Sequence, residues 1–203
     1  ILVIALTMAT TPLMSHLGDY INRGLKRVGG NHDVNTEHIE EGVPHVIIAG
    51  FGRVGRRIAK ILKSADIPYL AIEREADLVL AGRNDGFDVF FGNACRVDVL
   101  KAAGAGQAGV IVCTLDQTQA AVRLVKIFRQ RYPDTPIHAR GHDQQHCEQL
   151  TMAGATVVIS ETLEASAQMG HAVLQTSGVY EDDVAELVEA FRKDYYGTSK
   201  GHS

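Results

Sequence analysis

The chain has 203 residues, 45% of them hydrophobic and 22% charged, with a formal net charge of −4. That composition supports one folded domain with extensions and excludes a chain disordered throughout. A mildly acidic balance without clustered Lys and Arg also excludes nucleic acid as the expected partner, because phosphate backbones demand concentrated positive charge.

In chain order, residues 1–14 (ILVIALTMATTPLM) are almost wholly uncharged. The run is shorter than the ~20 residues that span a bilayer, and it lacks the basic start of a signal peptide. Position 1 is not Met, so the run reads either as the cut end of a transmembrane helix or as an apolar segment of a soluble core. Arg23, Lys26 and Arg27 follow, as basic residues do on the cytoplasmic side of a membrane helix. Residues 15–43 are polar and glycine-bearing and read as a linker.

Residues 44–178 alternate strand and helix signals. Apolar runs at 45–49, 69–72, 88–91, 109–113, 137–139 and 155–159 predict six strands. Between them, helices are expected from Val54, Ile58, Ile61 and Leu62 at helical spacing, near 75–84, near 96–103, from Ala121, Leu124, Val125 and Phe128, and near 143–152. Leu163, Ala167, Gly170 and Leu174 predict a closing helix, broken at Ser177-Gly178. Six strands joined by helices, without hairpin signals, predict an α/β fold with a doubly wound six-stranded parallel sheet. Residues 179–203 hold one more amphipathic helix and a tail, with Val184, Leu187, Val188, Phe191 and Tyr195 in one stripe; Asp182 and Asp183 open it and suit its dipole.

The chemistry concentrates at Gly50-Phe51-Gly52-Arg53-Val54-Gly55. A lone GxGxxG is weak evidence, but this one follows a strand and opens a helix, as a Rossmann dinucleotide loop does. Gly50 permits the tight turn, Gly52 leaves room for a phosphate, and Gly55 lets the helix pack on the strand. The helix N-terminus offers unpaired N–H groups to the anion. Glu73, with Arg74 beside it, ends the second strand, where an acid accepts ribose hydroxyls and repels a 2′-phosphate. Arg53 is a candidate cation for a phosphate or carboxylate. Asn93 and Ala94 after the third strand, Thr114 after the fourth and Arg140 at the end of the fifth line the crevice of such sheets. His142 and His146, four apart on an expected helix with Cys147 adjacent, have metal-ligand spacing but no evident third ligand. Cys95, Cys113 and Cys147 form no CxxC pair and are expected to pack as small hydrophobes in a reducing compartment. No catalytic constellation accompanies the loop. A regulatory ligand-binding domain and a fragment of a soluble NAD-dependent oxidoreductase are the two competing readings.

The strings VIIAGFGRVGRRIAKIL, FFGNACRVDVLKAAGA, IHARGHDQQHCEQLTMAGA and ETLEAS resemble the cytosolic potassium-transport nucleotide-binding domain (KTN, or RCK N-lobe) of Kef-type monovalent cation:proton antiporters, over about residues 1–178. ALTMATTPLM is similar to the end of their last membrane helix. The resemblance implies a homodimeric domain on the cytoplasmic face of the bacterial inner membrane. It also implies AMP or NAD(H) as ligand, and gating of potassium efflux by the transmembrane antiporter domain of the same chain. It implies glutathione contact for Arg53. The family's ARxRD pattern reads Ala139-Arg140-Gly141-His142-Asp143 here, so its second Arg, a glutathione ligand, is replaced by His142, which weakens that regulation.

Overall fold

The computed structural model describes residues 45–198. The expected membrane-helix end at 1–14 and the linker at 15–43 lie outside the described residues. Among the described residues, no helix is long and apolar enough to cross a membrane.

Six strands alternate with helices along the chain: β1 (Val46–Ala49), α1 (Arg53–Ser64), β2 (Tyr69–Glu73), α2 (Ala76–Asn84), β3 (Val89–Phe91), α3 (Val97–Ala102), β4 (Val110–Cys113), α4 (Thr118–Arg131), β5 (Ile137–Gly141), α5 (Gln144–Met152), β6 (Val157–Ser160), α6 (Glu161–Thr176) and α7 (Glu181–Thr198). The strands lie in the order β3-β2-β1-β4-β5-β6, every neighbouring pair parallel. This is the doubly wound sheet the alternation predicts. The order reverses between β1 and β4, which opens a crevice at the carboxyl ends of those strands.

Short apolar runs become strands here because the sheet buries both faces. All four residues of β1 and all five of β2 are buried. Val46 and Ile48 of β1 pack with Tyr69 and Ala71 of β2, Ala59 of α1 and Val79 of α2 in one core cluster. The outermost strand β6 differs: Val157 and Ile159 are exposed, as an edge without a covering neighbour allows.

The stripe predicted on the last helix divides. Val184 and Val188 are buried against Ala167, Leu174 and Val179, folding α7 back onto α6. Leu187 and Phe191 stay about half exposed, at 53% and 49%. Tyr195 and Tyr196 reach the end of β6, where the Tyr196 hydroxyl accepts the Ser160 N–H at 3.2 Å and donates to Glu164 Oε1 at 3.1 Å.

Candidate functional site

The glycine loop is held from both sides. Gly50 takes φ +98°, a conformation L side chains rarely adopt. Its N–H donates to Ile72 O at 2.9 Å, while Thr114 N–H donates to Ala49 O at 2.9 Å. The Thr114 hydroxyl reaches Gly50 O at 2.9 Å and Ala49 O at 3.2 Å, so this side chain clamps the loop rather than facing the crevice freely. Gly55 is a packing requirement: a Cβ there would stand 2.1 Å from Gly50 O. Gly52 is the opposite case, since a Cβ there would meet no atom within 4 Å. It caps α1 without a side-chain hydrogen bond, and the first turn of α1 carries no acid. The positive end of the α1 dipole is therefore uncompensated by its own sequence and faces open space.

Glu73 ties β2 to the loop. It is buried, and its Oε2 accepts the Phe51 N–H at 2.7 Å. Oε1 accepts Arg74 N–H at 2.7 Å and Glu75 N–H at 3.0 Å. A carboxylate has about four lone-pair sites, so one acceptor position remains, on Oε2.

These elements enclose a cleft of about 460 Å³. That is within the roughly 300–1,000 Å³ usual for small-molecule sites. The structure brings Gly50, Phe51, Gly52, Arg53, Val54, Glu73, Arg74, Asn93, Ala94, Thr114 and Arg140 to its walls. Of the expected nucleotide-binding residues, Gly55 alone does not line it. Phe51 contributes backbone, because its ring is 2% exposed and packs edge-on against Phe87 at 5.5 Å. Asn93 Oδ1 accepts the Cys95 N–H at 2.9 Å and shapes the turn into α3. Sequence reasoning missed Leu78, Cys95, Asp116 and Ala120, which also line the cleft. The rule that strand-end loops line the crevice, extended from Thr114 to the start of α4, would have reached Asp116. Cys95 corrects the expectation that every thiol is a packed hydrophobe: it lies half-buried on the cleft wall, and burial foremost raises its thiol pKa. Cys113 behaves as expected, buried and pushed up to about 12 by desolvation.

A polar cluster forms the rim below β4, β5 and β6. Arg140 donates to Asp116 Oδ1 at 2.5 Å, to Glu161 Oε2 at 2.9 Å and to Thr114 O at 3.4 Å. The Arg140 hydrogen bond holds the Asp116 carboxyl below its usual range. His142 corrects the expectation of a histidine pair on one helix. It precedes α5, whose N-cap is Asp143, and the Asp143 side chain accepts the His146 N–H. The two rings stack at 5.3 Å, and His146 is 2% exposed. Burial foremost, then His142, lowers the His146 pKa. Among the described residues, no group of three or more His, Cys, Asp or Glu could hold a metal ion.

A family model described as the TrkA-N domain matches residues 46–161, the whole of this sheet. The chain belongs to the TrkA-N domain family. This TrkA-N domain is 33% identical over 191 residues to the glutathione-regulated potassium-efflux system protein KefC of Cronobacter sakazakii, covering 94% of the chain and 30% of that protein. It is 36% identical over 196 residues to the chloroplastic K(+) efflux antiporter 1 of Arabidopsis thaliana, covering 94% of the chain and 16% of the relative. The chain thus spans less than a third of these relatives' length. Among solved structures, the Shewanella denitrificans Kef C-terminal domain in AMP-bound form superposes with a TM-score of 0.68 at 26% identity, covering 76% of this chain and 94% of that one. The resemblance to Kef-type domains read from the motifs therefore holds.

Proposed function

We propose that this TrkA-N domain is the cytosolic ligand-sensing unit of a Kef-type potassium/proton antiporter in a bacterial inner membrane, and that it binds AMP or NAD(H). The observation that carries the reading is the uncapped N-terminus of α1, reached across Gly52 from a cleft that Glu73 also lines. Unpaired N–H groups and a helix dipole suit a phosphate, and an acceptor at the end of β2 suits a ribose hydroxyl. The AMP-bound state of the Kef C-terminal domain supports the same ligand class. The 191 residues matched to KefC exceed the 159 from position 45 to the end, so the similarity reaches well into residues 1–44. That supports the reading of the first residues as a membrane-helix end and linker.

Sensing is favoured over oxidoreductase chemistry by how the cleft's polar groups are spent. Glu73 is occupied by three backbone N–H groups, Thr114 by loop carbonyls and Arg140 by two carboxylates. Each positions or balances charge, and none is poised as a base. Glutathione regulation receives weaker support, since His142 replaces the second Arg of the family's pattern.

The test is calorimetry of AMP on the 203-residue chain, with and without Gly52→Val. Since a Cβ at position 52 meets nothing, the variant is expected to fold as the parent does. Its branched side chain fills the phosphate's approach, so AMP affinity should fall by at least tenfold. Undiminished affinity in a folded variant would sink the reading.

A further inference from the structure

Both ring nitrogens of His142 face oxygen acceptors. Nε2 lies 2.9 Å from the Asp116 carbonyl oxygen, and Nδ1 lies 3.7 Å from Glu161 Oε2. A neutral imidazole has one N–H, so it serves one of these and turns a lone pair toward the other. An imidazolium serves both. The ring is also anchored through its backbone: Thr162 Oγ1 donates to His142 O at 2.9 Å.

The charged and titratable groups around the ring come from every adjoining element. They are Asp116 from the loop after β4, Arg140 from β5, Asp143 and His146 from the start of α5, and Glu161 from the first turn of α6. Arg53, on the glycine loop, acts on the group through Asp116. His146 does not share the proton, because its Nδ1 accepts the backbone N–H of His142 at 3.3 Å and the ring is buried. Arg140, Asp116 and Glu161 together carry one net negative charge while His142 is neutral. A proton on His142 brings the set to zero. Asp116 and Arg140 line the cleft themselves, so this balance is presented to whatever anion enters.

From this geometry we infer that His142 is a titratable counter-charge at the cleft rim, through which affinity for an anionic nucleotide rises as pH falls. The inference rests on the nucleotide reading above. The protonated ring is the tighter-binding form, so the gain grows as pH falls. The side chains of His142, Glu161 and Asp116 are 33%, 47% and 79% exposed. Solvent screening therefore limits the gain to several-fold.

The experiment measures AMP affinity of the 203-residue chain by calorimetry at about pH 8 and about pH 6, for the parent, His142→Gln and His142→Lys. The AMP phosphate titrates in this range too, but equally for all three, so ratios between them isolate residue 142. The parent should tighten roughly three- to tenfold more than His142→Gln on acidification, while His142→Lys should bind tightly at both pH values. Parallel pH dependence in the parent and His142→Gln overturns the inference and leaves the nucleotide reading standing. Absence of binding by all three at both pH values overturns both.

Discussion

Glu73 illustrates how much a single side chain can be asked to do. Its position at the end of β2, 22 residues after Phe51, was legible in the sequence, because a strand-end acid at that distance from a glycine loop has a known chemical use. Its occupation by three backbone N–H groups was not legible, because side-chain-to-backbone bonds leave no periodic trace in sequence. The same holds for the Thr114 hydroxyl, which is spent on Gly50 and Ala49 carbonyls. With one acceptor position remaining on Oε2, Glu73 has room for one ribose hydroxyl and none for a 2′-phosphate. Charge repulsion at short range in a partly buried site costs on the order of a few kcal/mol. Competition between NADH and NADPH for the cleft should therefore favour NADH by at least tenfold. Equal affinities would mean that Glu73 holds the loop and does not face the ribose.

At the scale of elements, the six strands were readable because each is a short apolar run ended by Gly, Pro or a polar turn, and the central strands β1 and β2 are buried on both faces. Their bounds shifted by only a residue or two: the last strand runs Val157–Ser160 rather than from 155. The fate of α7 was not readable. Its apolar positions share one helical period whether they meet the same chain or another, so the stripe could not disclose that Val184 and Val188 turn inward while Leu187 and Phe191 turn outward. The inward pair predicts a local stability. Val188→Asp would place an unpartnered carboxylate against Ala167 and Leu174, at a cost of about 2–3 kcal/mol. The sheet does not depend on that contact, so α7 alone should loosen. Hydrogen exchange should accelerate on the order of 30-fold or more in residues 181–198 and stay unchanged in β1, β2 and β4. Equal acceleration throughout would show that α7 is part of one cooperative unit with the sheet, and no acceleration would show that the contact carries no stability.

At the scale of the whole molecule, the outward residues pose the question of assembly. Leu187 and Phe191 on α7, and Met169 and Val173 on α6, are each an i, i+4 apolar pair open to solvent, between 49% and 68% exposed. Monomeric proteins rarely leave such surface uncovered on adjoining helices. A second copy of the chain is the occupant we propose, because an isologous two-fold contact buries the same apolar surface on both subunits. Such a dimer would also give ligand binding a mechanical outlet. A nucleotide that fits one inter-subunit arrangement better would shift the population toward it. Phe191→Asp tests this without disturbing the fold, since Phe191 lies outside the inward-facing pair. Light scattering on the 203-residue chain at tens of micromolar should give the mass of a dimer for the parent and a shift toward monomer for the variant. A parent that stays monomeric, or a variant that dimerises as tightly, would remove α7 from the interface.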